Sequence, residues 1–259
     1  MLASPPTATR SSRSSALTVK RRLSVVSYYF FRAVTRLVVR AFARWEVVHA
    51  ERMPSEGGVV VVSNHLHLLD PPLVAASCRR RLHPMAKREL FETPLVGWVL
   101  WAYGAFPVRR FSADMGALRA ARNYLRRGDA VLMFPEGTRT QGEGMRPALP
   151  GAAMVALLAG SPVVPVAITG TDNIRIPAVF FQWMLLRRPV FRVEFGEPFE
   201  LTKESAGTSQ AEHSTDEMMR KIAALLPEHY QGAYGPDSEG TLVFERQQRD
   251  PSETQPPAE

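Results

Sequence analysis

Two short segments carry side chains of the kinds that move protons and hold anions. They are Asn64-His65-Leu66-His67-Leu68-Leu69-Asp70 and Phe134-Pro135-Glu136-Gly137-Thr138-Arg139. In the first, His65 is the side chain best suited to accept a proton near neutral pH. Asp70 follows five residues on, and one tight turn after a strand would return its carboxylate to the ring. A carboxylate bonded to one ring nitrogen fixes the tautomer and leaves the other nitrogen to take a proton. A loop histidine beside a helix-capping aspartate would give the same short string, with Asn64 a plain turn former. In the functional reading Asn64 orients the loop.

In the second segment, Gly137 lets the backbone approach a ligand, and successive N–H groups in such a turn form an anion nest. Arg139 offers a planar fork of donors matched to phosphate oxygens, and Thr138 lies between the two. Glu136 is itself an anion and is assigned to holding the loop or an arginine. Gly104-Ala105-Phe106-Pro107-Val108-Arg109-Arg110 ends in a second candidate clamp, unless its arginines are simply solvated. A base beside an anion site points to a reaction at a hydroxyl of a phosphorylated substrate.

Each segment follows an apolar, often β-branched run, where a buried strand ends. Strands are predicted at Val59–Ser63, Leu82–Ala86, Ala105–Val108, Ala130–Phe134, Val163–Ile168 and Val190–Phe195. Helices are predicted at about Pro72–Cys78, Thr93–Trp101, Ala113–Arg126, Gly151–Leu158 and Ala211–Leu225, the third capped by Ser112. This alternation predicts an α/β fold, a single layered domain with a largely parallel or mixed sheet flanked by helices. Ligands gather beyond the strand C-termini of such sheets. Val164, Pro165 and Val166 lie in a strand whose proline suggests an edge or a bend.

Upstream, Leu23–Trp45 is helical in pattern. Arg32, Arg36, Arg40 and Arg44 recur every fourth residue, and Phe30, Phe31 and Trp45 belong to the bulk around them. This predicts an in-plane membrane helix with guanidinium groups at headgroup level and Lys20, Arg21 and Arg22 alongside. A surface helix packed on the domain, arginines in water, fits the same pattern. The arginines interrupt any run of about 20 apolar residues that a span needs. No cleavage site of a secretory signal follows an uninterrupted apolar core. The expected organisation is a disordered basic segment at 1–19, the amphipathic helix at 20–45, the catalytic domain at 46–231 and a disordered polar tail at 232–259. A net charge of +7 favours anionic partners, and a single cysteine, Cys78, excludes an internal disulfide.

Four segments taken in order resemble the glycerolipid acyltransferase family: Asn-His-x4-Asp, Gly-x-Phe-Pro-Val-Arg, Phe-Pro-Glu-Gly-Thr-Arg and Val-Pro-Val. Within it the chain is most similar to the bacterial 1-acyl-sn-glycerol-3-phosphate (lysophosphatidic acid) acyltransferases, from about Val59 to Glu200. The resemblance implies that His65 is a general base oriented by Asp70. The activated hydroxyl would attack an acyl thioester directly, without an acyl-enzyme, to give phosphatidic acid. It also implies that Arg109, Glu136, Gly137, Thr138 and Arg139 serve the acceptor phosphate, and that Val164, Pro165 and Val166 serve the acyl donor or its chain. The partners implied are a membrane lipid acceptor, an anionic membrane surface on the cytoplasmic face, and acyl-CoA or acyl-carrier protein as co-substrate. No cofactor, metal or nucleic acid is expected.

Two departures stand out. His67 occupies a position where the family often has serine, and Leu149-Pro150 one where it often has a basic residue. Three other readings compete. The acceptor could be glycerol-3-phosphate or another lysolipid. His65, His67 and Asp70 could begin a metal-dependent hydrolase site, although only His83, His213 and His229 remain downstream. The chain could instead be a basic membrane- or nucleic-acid-binding module, although no nucleic-acid motif occurs. A serine hydrolase would need a Gly-x-Ser-x-Gly elbow, which is absent.

Overall fold

The computed structural model describes residues 10–109, 114–140, 144–172, 174, 188–202, 208–236 and 238. Arg110, Ser112 and the expected tails at 1–9 and 239–259 lie outside the described residues, as do the side chains of Lys20, Arg21 and Arg22.

Seven strands form one mixed sheet in the order β1-β7-β6-β2-β5-β3-β4. They are β1 (Arg44–Val48), β2 (Val59–Ser63), β3 (Leu82–Lys87), β4 (Phe106–Val108), β5 (Ala130–Met133), β6 (Val163–Thr169) and β7 (Val190–Phe195). Strands β2 to β6 are mutually parallel, β7 runs antiparallel to β6, and β1 lies parallel to β7. β2 is central and every residue in it is buried, which is what its unbroken valine run requires of a strand covered on both faces.

The six expected strands form. β1 is additional. The helical pattern at 23–45 breaks at Phe42, and Trp45, Val47 and Val48 extend to pair with β7, so Trp45 belongs to the sheet and not to a helix. Pro165 proves to be neither at an edge nor at a bend. It sits in β6 between β2 and β7, opposite the position where β7 gives way to Gly196. Gly196 N–H still donates to Pro165 O at 2.8 Å, so the proline's missing donor costs only the last rung of the ladder. A Cβ at Gly196 would lie 2.7 Å from Pro165 Cγ, which explains the glycine.

Helices cover both faces. One layer holds α1 (Arg10–Phe42) and α2 (Asp70–Ser77), with α3 (Pro94–Ala102) beside them; the other holds α4 (Met115–Arg126), α5 (Gly151–Ala159) and α6 (Thr208–Ala223). The sheet's side chains divide accordingly. Val60, Val62, Val131 and Met133 pack with α4, α5 and α6, while Val59, Val61, Leu132, Val164, Val166 and Phe195 fill the core on the α1–α2 side. The cap of α4 is Asp114, immediately before the helix, whose carboxylate accepts from Ala117 N–H at 3.0 Å.

α1 begins at Arg10, thirteen residues before the expected Leu23, and takes in residues 10–19, where composition suggested disorder. It is part of the fold. Tyr28 is fully buried, and its hydroxyl accepts from Leu82 N–H at 3.0 Å at the start of β3. The expected tail also begins later than 232, because Tyr234 is buried and its hydroxyl accepts from Ala148 N–H at 2.9 Å. Among the described residues no helix is long and apolar enough to cross a membrane.

Candidate active site

β2 ends at Ser63, and the next residue moors the loop. The Asn64 side chain donates to Ile168 O at 2.9 Å and accepts from Ile168 N–H at 2.8 Å, extending the ladder between β2 and β6. His65 is then gripped at every polar position but one. Its N–H donates to Glu136 Oε1 at 2.9 Å, and its carbonyl accepts from Thr140 N–H at 2.7 Å. The ring stacks on Phe134 with centroids 4.2 Å apart, and Nδ1 lies 2.9 Å from Asp70 Oδ2.

Asp70 opens α2 and is fully buried. Its Oδ2 also accepts from Leu66 N–H at 2.6 Å and His67 N–H at 2.7 Å, while Oδ1 accepts from the Thr171 hydroxyl at 2.8 Å. An ionised carboxylate only accepts, so Nδ1 of His65 carries the proton and the Nε2 lone pair faces away from the aspartate. The residue is buried, at 6% exposed. This tautomer leaves Nε2 able to accept a proton.

His67 is held differently. Its Nδ1 accepts from Leu69 N–H at 3.2 Å, which puts its own proton on Nε2. Burial, first, lowers its pKa; Asp70 opposes this, and the neighbouring Arg139 and His65 reinforce it. Neutral His67 therefore presents a donor. With His65 and Asp70 bonded to each other and His67 turned to Leu69, the three do not converge as ligands. Among the described residues no group of three or more His, Cys, Asp or Glu is placed to hold a metal ion.

Phe134 to Thr140 leaves β5, the neighbour of β2, and passes directly over His65. Glu136 is buried and receives three donors: His65 N–H, Arg146 N–H at 2.9 Å and the Thr140 hydroxyl. Burial pushes its carboxyl up to about 7, against the pull of those donors and of the Arg146 charge. Glu136 therefore braces the backbone of His65, a more specific task than holding an arginine.

Gly137 adopts φ +68°, and a Cβ there would meet Leu149 Cδ1 at 2.7 Å. Its N–H is committed to Phe134 O at 3.0 Å, so it closes the turn instead of contributing to an anion nest. Thr138 is half-buried, and Arg139 is exposed beside His67.

The expected residues do not all meet. His65, Asp70, Glu136, Gly137, Thr138 and Arg139 share one loop cluster at the C-terminal end of the parallel strands. Arg109 follows β4 at the same end, but β5 and β3 intervene, a separation of about 14 Å from β2. Val164 and Val166 are fully buried among the core side chains and Pro165 is buried with them, so as placed they support the sheet and line no open slot. The membrane set divides as well. Arg36 Nε donates to Ala76 O at 2.8 Å and Arg32 donates to Cys78 O, so both satisfy the C-terminal carbonyls of α2 and do not reach a headgroup layer. Phe31 is half-buried against Trp98 and Tyr103, and Arg40 lies over the Trp45 ring.

The outward face of α1 is instead apolar. Phe30 and Leu37 are 61% and 71% exposed, and Leu95 and Trp98 of α3 are 73% and 53% exposed. Phe31 touches both Phe30 and Trp98, with ring centroids 5.4 and 5.0 Å apart, which joins the two helices' surfaces.

Sequence reasoning did not reach Thr140, Arg146, Phe134 as a stacking partner, or Thr171. Thr140, Phe134 and Thr171 act across a step between neighbouring strands, and Arg146 acts across the loop that follows β5; no local pattern supplies either.

Residues 44–169 match the family model described as Acyltransferase. The 1-acyl-sn-glycerol-3-phosphate acyltransferase of Bacillus subtilis is 29% identical over 147 residues, 56% of this chain and 73% of that protein. The chloroplastic 1-acyl-sn-glycerol-3-phosphate acyltransferase of Brassica napus is 30% identical over 136 residues, 51% of this chain and 39% of its own length. The chain spans about half the length of several other relatives that it matches. The crystal structure of the 1-acyl-sn-glycerophosphate (LPA) acyltransferase PlsC from Thermotoga maritima shares the fold, with a TM-score of 0.55, 23% identity and 84% of each chain covered.

Proposed function

We propose, on the match of residues 44–169 to the acyltransferase family model, that the chain transfers a fatty acyl group from a thioester to the free hydroxyl of 1-acyl-sn-glycerol-3-phosphate, giving phosphatidic acid. The observation that carries this is the His65–Asp70 pair with Nε2 left to accept a proton, one loop away from the exposed Arg139. Nε2 takes the proton of the acceptor hydroxyl as its oxygen attacks the thioester carbonyl. The C–S bond then breaks, the thiolate leaves, and the imidazolium returns the proton to it. Asp70 holds the ring and stabilises the imidazolium, and no acyl-enzyme forms. Arg139 binds the acceptor phosphate; Arg109, at the sheet edge, reaches only a more distant part of a bound substrate.

The acceptor is a membrane lipid, and the apolar face of α1 and α3 suits an anionic bilayer, with Arg40 and Arg44 at its end. β1 is antiparallel to β2, so α1 delivers the chain into β1 at the same end of the sheet as His65. Acyl-CoA and acyl-carrier protein are both anionic, and the net charge of +7 suits either donor.

The test is acyl transfer by purified protein to a panel of lysolipids and glycerol-3-phosphate, with both donors and products resolved by mass. His65→Ala should abolish turnover while keeping the thermal unfolding midpoint. Arg139→Ala should raise the acceptor KM more than it lowers kcat. Near-parental turnover in His65→Ala would overturn the base assignment.

A further inference from the structure

Asp70 is held from two directions. Its Oδ2 takes three N–H donors from its own loop, at His65, Leu66 and His67. Its Oδ1 takes only the Thr171 hydroxyl among the described residues, from a segment 101 residues away. Both side chains are fully buried, so no solvent substitutes for that bond. The position of Thr171 is itself built. β6 ends at Thr169, and Gly170 turns the chain at φ +85°, where an added Cβ would lie 2.0 Å from Val190 O. Beyond the turn, the Tyr230 hydroxyl accepts from Gly170 N–H at 3.4 Å and donates to Asp172 Oδ1 at 2.9 Å, while Ile174 N–H donates to Thr171 O at 3.2 Å. The turn at the end of β6 is thus tied on both sides of Thr171.

A carboxylate's terminal torsion is broad and nearly two-fold, so donors on one oxygen alone leave its plane poorly fixed. Three donors crowd Oδ2, and two of them are backbone groups that gain nothing from orienting the imidazole. We propose that Thr171 is a positioning residue for catalysis: by pinning Oδ1, it sets the carboxylate plane so that Oδ2 meets Nδ1 of His65 and Nε2 points into the acceptor site. The Thr171 hydroxyl donates to Asp70 and not to His65, so it acts through Asp70. The inference rests on His65 being the base. It adds that β6, through its terminal turn, controls that base's orientation.

Thr171→Val removes the hydroxyl at nearly constant volume, Thr171→Ala removes it and leaves space, and Thr171→Ser keeps it. Kinetics of acyl transfer with thermal melts for each, beside His65→Ala, test the role. The hydroxyl-free variant that melts cooperatively should lose about tenfold or more in kcat, with both KM values within about twofold, because orientation and not binding is lost. Thr171→Ser should stay within about threefold of the parent. The downfield proton resonance of His65 Nδ1–H should be sharp in the parent and in Thr171→Ser, and exchange-broadened without the hydroxyl. Parental kcat and a sharp resonance in Thr171→Val or Thr171→Ala would overturn this inference alone, provided His65→Ala is inactive. An active His65→Ala would instead remove the reading beneath it. Loss of activity in Thr171→Ser equal to that in Thr171→Val would also overturn it, since the hydroxyl would then not be the operative group.

Discussion

Glu136 shows at the scale of one residue how a buried charge can serve a site without touching substrate. Its two oxygens receive the N–H of His65, the N–H of Arg146 and the hydroxyl of Thr140. Burial nevertheless dominates and lifts its carboxyl from the ordinary 4.5 to about 7. A folded-state value above the unfolded one means that the folded chain binds more protons between those limits. The group's stabilising contribution is therefore complete below about pH 4.5 and is lost as pH rises through about 7. The difference in unfolding free energy between the parent and Glu136→Gln, which cannot titrate, should fall by up to about 3 kcal/mol from pH 5 to 8. Urea unfolding across that range measures it, and a flat difference would contradict the shift. The amide of Glu136→Gln would also turn a donor toward Arg146 N–H, so turnover should drop even where the fold survives. The His65–Asp70 pair was legible in the sequence because both partners sit within one loop. The grip of Glu136 on His65 was not, because it joins residues 71 apart and depends on β5 lying beside β2.

Among the elements, α1 departs furthest from what its sequence suggested, and its periodicity explains why. Arginines every fourth residue define one stripe on a helix, but the spacing does not say whether the stripe faces solvent or a neighbour. Here Arg32 and Arg36 turn inward to the last carbonyls of α2, and Phe30, Val34, Leu37 and Val38 turn outward. Guanidinium groups satisfy a helix C-terminus well, and long stems let them cover apolar surface on the way. The strands were far more legible, because continuous β-branched runs such as Val59–Val62 have few alternatives. β1 escaped because aromatic and valine residues extend the preceding helical pattern past Phe42. If the outward face docks on a bilayer, Phe30→Glu and Leu37→Glu should each weaken co-sedimentation with anionic vesicles by tenfold or more, roughly 1.4 kcal/mol. Their stability should change by less than about 0.5 kcal/mol, as for other surface positions. Arg36→Ala should do the reverse, costing about 1 kcal/mol of stability by stripping the Ala76 carbonyl while leaving vesicle binding intact. Vesicle binding unaffected by either glutamate would exclude this face as the docking surface.

At the scale of the whole molecule, the N-terminal helix and the sheet form one structure, not an anchor joined to an enzyme. The chain crosses the α2–α3 layer as α1, turns at Ala43 and enters the sheet as β1, the edge strand beside β7. Tyr28, buried between Ala75 and Tyr103, fills the gap among α1, α2 and α3, and Val39 and Ala43 close the core beneath β7 and β6. Removing α1 would expose that apolar surface, strip the carbonyls of Ala76 and Cys78 of their donors, and leave β1 untethered beside β7. Each loss alone is modest, but native domains are stable by only about 5–15 kcal/mol, so together they reach the size of the whole margin. A chain lacking residues 1–42 should therefore lose cooperative thermal unfolding and bind a dye specific for exposed apolar surface, even in detergent where no bilayer is required. The double variant Phe30→Glu with Leu37→Glu, which keeps α1 but alters its outer face, should unfold cooperatively near the parental midpoint under the same conditions. A truncated chain that melted sharply at the parental temperature would show α1 to be separable, and the inward arginines would then carry no structural weight.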